Sequence, residues 1–248
     1  MGEERELTPA ERYAQFDRVM RQRRSISAKF ADTLPFELDR FQTDANEALE
    51  QGSNVLVAAP TGAGKTVVAD FAVYLAQQQN AKAFYTTPIK ALSNQKYHDL
   101  VALYGPDKVG LLTGDTSINS EADIVVMTTE VLRNMLYEHS TTLQALRYVV
   151  LDEVHYLADR FRGPVWEEVI IHLPQSVRIV GLSATVSNVE DFADWIASVR
   201  GETKLVVSEH RPVPLEQYVL IQRDPRTEPE LFDLYRHDDN GRPTTKLN

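Results

Sequence analysis

Ala59-Pro60-Thr61-Gly62-Ala63-Gly64-Lys65-Thr66 stands between a short apolar run and an amphipathic pattern, and its reading decides the fold. The residues before it, Asn54-Val55-Leu56-Val57-Ala58, have the β-branched content and length of a buried strand. After it, Val67, Val68, Phe71, Ala72 and Leu75 recur with helical spacing. A Gly-rich turn from strand to helix lets successive backbone N–H groups point inward as a nest, and the helix N-terminus adds partial positive charge. The octet reads as a phosphate-binding loop in which Thr61, Gly62, Ala63, Gly64, Lys65 and Thr66 cradle a nucleoside triphosphate, with ATP the expected ligand. Lys65 would reach the outer phosphates, and the Thr66 hydroxyl would ligate Mg²⁺. A plainer reading stays open at this point, because the general pattern has Gly where Ala59 stands and a Gly-containing turn with an exposed lysine would look the same.

Composition narrows the class. The chain has 248 residues, 43% hydrophobic and 25% charged, which suits a globular protein with a sizeable core. No apolar run reaches membrane-spanning length, and Met1-Gly2-Glu3-Glu4-Arg5-Glu6 is too charged for a secretory signal, so a cytoplasmic location is expected. The absence of cysteine excludes disulfides and thiolate metal sites. A net charge of -10 and a pI near 5.1 argue against gripping nucleic acid by global basicity. A local groove built from helix N-termini and backbone amides remains compatible with that charge.

The chain opens on Thr8, Pro9 and Glu11, a cap, a first-turn proline and a capping-box partner, followed by a narrow stripe at Tyr13, Phe16 and Val19 or Met20. An N-terminal helical extension is expected over residues 1–34, its Arg18, Arg21, Arg23 and Arg24 forming a solvated face. Phe36 to Gln42 should open the next helix, with Phe41, Ala45, Ala48 and Leu49 inward. Phe36 and Gln42 precede the phosphate loop closely, so they are assigned to the adenine, the ring stacking and the amide pairing with the N6/N7 edge. Without the loop beside them, they would equally suit a core aromatic and a surface amide.

Beyond the loop, strands at 82–86, 109–112, 124–127, 148–151, 177–182 and 204–207 alternate with helices at 89–103, 130–137, 165–172 and 189–199. Apolar strands alternating with helices imply an α/β domain with a mostly parallel central sheet flanked by helices. Ser187 and Glu190 form another capping box, and Trp195 is expected in the core. A further strand is expected over 216–221, and the polar, Pro-rich stretch after it reads as a linker.

Asp152 and Glu153 follow the apolar strand Tyr148-Val149-Val150-Leu151 directly. Ligands of open α/β sheets bind beyond the carboxyl ends of the strands, so this tip should face the crevice of the phosphate loop. There Asp152 would hold Mg²⁺ and Glu153 would deprotonate the attacking water, with Lys65 completing the catalytic set. His155, Ser183 and Thr185 are assigned to coupling. Thr87, Pro88, Lys90, Thr128 and Thr129 lie where strands end and helices begin, and with Gly114 in Thr113-Gly114-Asp115 such tips can follow a sugar-phosphate backbone without reading bases. Each of these tips alone would more often be ordinary capping.

Taken together, these blocks resemble the first RecA-like domain of superfamily 2 DExH-box helicases, from about Phe36 to Val219. Its phosphate loops commonly read Ala-x-Thr-Gly-x-Gly-Lys-Thr, which accommodates Ala59. Phe36-x-Leu38-Asp39-x-Phe41-Gln42, Arg162-Gly163-Pro164-Val165-Trp166-Glu167-Glu168, and Ser183-Ala184-Thr185 followed by Asn188 and Trp195-Ile196 look like the superkiller and exosome-associated RNA helicases and their actinobacterial relatives. The resemblance implies a RecA-like P-loop domain over 35–208 and a connector over 209–248, with His210-Arg211-Pro212-Val213-Pro214-Leu215 leading toward a second motor domain absent from these residues. It implies an ATP-dependent helicase that hydrolyses the β-γ phosphoanhydride with Mg²⁺, acts on single-stranded RNA and is monomeric. Arginine fingers of the second domain are worth about 10³ to 10⁵ in rate, so these 248 residues alone are expected to bind ATP weakly and not to unwind. Two other readings are a DNA repair helicase of the same superfamily and a nucleotide-gated binding module without turnover. A P-loop kinase fits less well, since it has no use for Asp152-Glu153-Val154-His155 or Ser183-Ala184-Thr185.

Overall fold

The computed structural model describes residues 25–158, 163–184, 188–211, 217–222, 228–237 and 243–247. Thr8 to Arg24 of the expected extension therefore lie outside the described residues, as do Arg162, Thr185, Ser187 and the Pro212 to Glu216 part of the connector. The chain divides into one unit through His210 and a second from Arg211.

In the first unit, α1 (Ile26–Ala31) is capped by the Ser25 hydroxyl, which accepts from Ala28 N–H at 3.0 Å. The Glu50 carboxylate takes the first two helical N–H groups, of Ile26 and Ser27, at 2.8 and 3.0 Å, so donors orphaned at the helix start find partners on the next helix. That helix, α2 (Arg40–Glu50), begins four residues later than the expected start at Phe36. Asp39 holds extended backbone as its N-cap, and the Gln42 side chain reaches back to the Asp39 N–H at 2.8 Å. The Asp-x-x-Gln spacing is a capping signal that fixes the start after Phe36.

An eight-stranded sheet follows, in the order β4-β3-β5-β2-β6-β7-β1-β8. Its strands are β1 (Asn54–Ala58), β2 (Lys82–Thr87), β3 (Val109–Thr113), β4 (Thr116–Ile118), β5 (Ile124–Thr128), β6 (Leu146–Leu151), β7 (Arg178–Ser183) and β8 (Thr203–Val207). All pairings are parallel except β3 with β4. The antiparallel edge strand β4 was not anticipated, because three residues of Thr-Ser-Ile carry no period of their own. The parallel strands are joined through α3 (Thr66–Gln78), α4 (Lys90–Tyr104), α5 (Thr129–Tyr137), α6 (Gly163–His172) and α7 (Val189–Arg200).

Alternation along each strand sorts the core into two layers. Val55, Val57, Tyr85, Val126 and Val150 pack with residues of α1 to α4 on one face. Leu56, Ala58, Phe84, Val125 and Val149 pack with residues of α5 to α7 on the other. The expected continuous apolar strands are therefore buried on both sides, as a parallel sheet requires. Buried Asn54 locks β1 in place: its Oδ1 accepts from Ile179 N–H at 3.0 Å, and its amide donates to the carbonyls of Arg200 and Glu202. Nearby, the guanidinium of buried Arg200 donates to three carbonyls, those of Leu173, Pro174 (2.6 Å) and Val177 (2.9 Å), where α6 ends and β7 begins.

Trp195 departs from expectation: it is half-buried, not core. The inward stripe of α7 runs Val189, Ala193, Ile196 and Arg200, which leaves Trp195 one position off, stacked on Phe192 at 5.8 Å and 16°.

The second unit, taken by itself, has β9 (Tyr218–Ile221) paired antiparallel with β10 (Glu230–Asp233), and β11 (Tyr235–His237) with β12 (Pro243–Leu247). Strand β9 falls where one was expected. The other three occupy the stretch read as a linker, because strands of three to five residues such as Glu-Leu-Phe-Asp are masked by polar flanks.

Candidate functional site

Strand register brings the tips into line. Ala58 is level with Ser183, Leu151 with Gly181, Thr86 with Leu151, and Thr87 with Thr128. The phosphate loop after β1, the Asp152-Glu153 pair after β6 and Ser183 at the end of β7 thus share one edge of the sheet. Strands β1 and β6 are separated only by β7, so their tips sit about 10 Å apart at the usual strand spacing.

Gly62 and Gly64 have φ of +85° and +83°, the left-handed values that a nest requires. A side chain at position 64 would also meet the Gln42 amide nitrogen at 2.7 Å. Gln42 is buried and bridges two elements: its Oε1 accepts from Asp39 and its Nε2 donates to Gly64 O at 3.0 Å. An amide has two donors and two acceptor lone pairs, so one of each remains for a base edge. Phe36 is 50% exposed ahead of α2. Within the loop, Ala63 is buried and its N–H closes a turn onto Pro60 O at 3.2 Å, while Thr61 and Thr66 are exposed. The Lys65 ammonium is folded onto the loop's own start, donating to Ala59 O at 2.7 Å and Pro60 O at 3.1 Å. Ala59 N–H in turn donates to Ser183 O at 3.1 Å, tying the loop to the tip of β7.

Asp152 follows the parity of Tyr148 and Val150, so it faces the α3/α4 side of the sheet. Its Oδ2 accepts from the Tyr85 hydroxyl at 3.1 Å and its Oδ1 from the Glu153 N–H at 2.9 Å. Burial, and then the neighbouring Glu153 carboxylate, raises the Asp152 pKa above the usual aspartate value, with the Tyr85 hydrogen bond, the Glu153 N–H and Lys96 pulling the other way. Tyr85 itself is held protonated, its pKa raised by burial and then by the Asp152 carboxylate. Glu153 has φ of +54°, a left-handed turn that carries its side chain off the strand axis. Its Oε2 lies 3.2 Å from His155 Nδ1, close enough for an ion pair when the imidazole is protonated, but not aligned as a hydrogen bond.

These residues fit a triphosphate with a divalent cation. The loop places a left-handed glycine at position 64 with the Gln42 amide against it, and the Asp152 carboxylate, disfavoured by burial and by Glu153, is one that a cation would stabilise. Among the described residues no group of three or more His, Cys, Asp or Glu could hold a metal alone. An ion here would therefore be shared with phosphate oxygens and water, the usual habit of Mg²⁺.

His155 and Ser183, assigned to coupling, line one cleft of about 430 Å³ together with Asn188, Asp191, Phe192 and Trp195. Thr185, their third partner, lies outside the described residues.

The residues assigned to a nucleic-acid backbone gather at the tips of β2, β3 and β5, but most of their side chains are already engaged. The Thr87 hydroxyl is buried between Ile89 O at 3.0 Å and Ser93 Oγ at 2.7 Å. Thr129 is fully buried with its hydroxyl on Thr87 O at 3.3 Å. Lys90 is paired with Asp115 at 2.6 Å. Pro88 and Gly114 lie in the same cluster of tips, and Thr128 is half-buried at the N-cap of α5. Sequence reasoning missed Tyr85, Asp70 and Lys96: Lys96 Nζ sits 2.7 Å from Asp70 Oδ1 and 4.9 Å above the centre of the Tyr85 ring. The only available signal was the parity of Tyr85, which puts its ring on the Asp152 side of the sheet.

Residues 39–192 match the DEAD/DEAH box helicase family. Over 86% of the chain the sequence is 62% identical to the probable helicase HelY of Mycobacterium leprae, of which it spans 22%. It is 50% identical, over 74% of the chain, to the chloroplastic DExH-box ATP-dependent RNA helicase DExH15 of Arabidopsis thaliana, and 51% identical, over 78%, to the antiviral helicase SKI2 of Saccharomyces cerevisiae. It spans 16% and 15% of these two. The fold is similar to that of Mycobacterium smegmatis helicase Lhr bound to single-stranded DNA and AMP-PNP, with a TM-score of 0.61 and 28% identity over 74% of this chain and 27% of that one.

Proposed function

The chain belongs to the DEAD/DEAH box helicase family, in its superkiller-like DExH group, and from that premise we propose that it is the first motor domain of an ATP-dependent helicase acting on single-stranded RNA. The observation that carries the reading is the shared edge: phosphate loop, Asp152-Glu153 pair and Ser183 on adjoining strand tips, with Ala59 N–H bound to Ser183 O. Gly62, Gly64 and the start of α3 would hold the phosphates, and Lys65 would swing from the loop carbonyls onto them. Thr66 and Asp152 would hold Mg²⁺, which when bound offsets charge building on the β- and γ-phosphate oxygens. Glu153, turned off the strand by its left-handed backbone, would take the proton of the attacking water. Phe36 and the spare donor and acceptor of Gln42 would take the adenine. Residues 35–208 would form this domain, with 209–248 leading onward.

RNA is favoured by likeness to a relative named as an RNA helicase, and DNA by likeness to a structure bound to single-stranded DNA. Unwinding of matched RNA and DNA tailed duplexes by the protein extended to the length of its relatives decides between them. RNA unwinding with little on DNA is expected; the reverse overturns the substrate assignment, and no ATP-dependent unwinding of either overturns the function.

A further inference from the structure

Helix α4 is an unusual element on the α3/α4 face. Of its fifteen residues only Ser93 and Leu100 are fully buried, whereas thirteen-residue α3 buries seven. Its N-terminus, at Lys90, sits among the tips assigned to nucleic acid. Its second turn sends Lys96 inward to Asp70 and over the face of Tyr85, whose hydroxyl bonds Asp152. The Lys96 and Asp70 side chains are 11% and 29% exposed, so this is a largely desolvated pair. Removing an ammonium from water is costly, and an apolar residue of similar volume would serve packing as well. The charge is better explained by what it touches.

Asp70 lies one turn below Thr66 on α3, and Tyr85 leads to Asp152, so Lys96 abuts the supports of both groups assigned to Mg²⁺. Lys96 lies about 9 Å along the helix axis from Lys90 at the helical rise per residue. Tyr97, Val101 and Tyr104 seat the later turns of α4 against the core, so a shift of its less buried first turns when they take phosphates would carry the ammonium with it. Ion pairs and charge-to-ring contacts at these separations change steeply with small displacements. We propose that Lys96, Asp70 and Tyr85 are positioning residues that pass occupancy of the nucleic-acid end of α4 to the Asp152 carboxylate and to the helix of the phosphate loop. The proposal rests on the function proposed above.

The test uses the protein extended to the length of its relatives, with Lys96→Met, Lys96→Arg and Tyr85→Phe. ATP turnover is measured with and without a single-stranded oligouridine, alongside oligouridine affinity, affinity for a fluorescent ATP analogue and the thermal midpoint. Lys96→Met is expected to cut the stimulation of turnover by oligouridine about tenfold, within the usual range of allosteric coupling. Unstimulated turnover and oligouridine affinity should stay within about twofold, and Lys96→Arg should recover most of the stimulation. Tyr85→Phe, which keeps the ring and removes the hydroxyl, should cut stimulation in the same direction and covers the case in which Lys96→Met fails to fold. An unchanged ratio, an equal fall with and without oligouridine, or no recovery with arginine overturns the relay. No oligouridine-stimulated turnover in the unsubstituted protein overturns the proposed function, and the relay with it.

Discussion

The tips of β1, β6 and β7 and the tips of β2, β3 and β5 line the same edge of one sheet, yet they are built differently. On the first half the phosphate loop and its neighbour are held by backbone, Gly62 and Gly64 by left-handed turns, Lys65 by two carbonyls, Gln42 by Gly64 O and Asp39 N–H, and Ala59 by Ser183 O, and only Asp152 leans on a side chain, the Tyr85 hydroxyl. On the second half the polar side chains are spent on bracing the tips themselves, Thr87 on Ile89 O and the Ser93 hydroxyl, Thr129 on Thr87 O, and Lys90 on Asp115. A nucleotide is a fixed shape and rewards a preformed cradle. A sugar-phosphate track repeats along its length, and a wall whose hydroxyls brace the loops can present backbone N–H groups to it.

Glu153→Gln cuts hardest into the first half. In the extended protein, turnover should fall by about 10² to 10⁴ with nucleotide affinity intact, the signature of a lost base. Full turnover would place the base elsewhere. Gly64→Ala strikes the cradle itself: the new methyl meets the Gln42 amide, and its φ of +83° resists a side chain. Affinity for a fluorescent ATP analogue should drop about tenfold or more, equivalent to the 1–3 kcal/mol of strain at such positions. Unchanged affinity would mean that the loop reshapes on binding and is not preformed.

Thr87→Val probes the second half. The Ser93 hydroxyl and Ile89 carbonyl lose a buried partner, so denaturant unfolding should show a loss of about 1–3 kcal/mol. Oligonucleotide affinity should hold while the fold does. If affinity falls and stability does not, the hydroxyl faces the strand and the contrast fails there. Asp115→Asn should give the smallest effect: it releases Lys90, raising affinity for a single-stranded oligonucleotide a few-fold at low salt, with the gain fading as salt screens it. Lower affinity would assign Asp115 itself to the track.

Much of this fold is legible in the chain, for reasons that differ by element. Strand β1, the phosphate loop and α3 stand out because period, glycine and hydroxyl change abruptly within a few residues. The carboxylate pair is legible because Tyr148 to Leu151 is uniformly apolar and stops at Asp152. Strand β4 and strands β10 to β12 escape notice because three- to five-residue strands among polar residues carry too little period to read. Trp195 misleads because residue type says core, whereas helical phase, one position off the Val189-Ala193-Ile196 stripe, says flank. The engagement of Lys90 was out of reach, because Asp115 becomes its partner only when α4 and the β3–β4 turn are laid side by side; that of Thr87 depends on how tightly the chain turns from β2 into α4 to bring Ser93 back onto it.

Arg200 has a consequence for how the molecule opens. One guanidinium gathers the last carbonyls of the α6 turn and the entry to β7, while its own carbonyl receives the Asn54 amide of β1. Three segments distant in sequence therefore share a single latch. Segments that share interactions unfold together as one cooperative unit. Amide protons of α6, β7 and α7 should then exchange with solvent in concert, and with Arg200 replaced by methionine they should separate into independent rates.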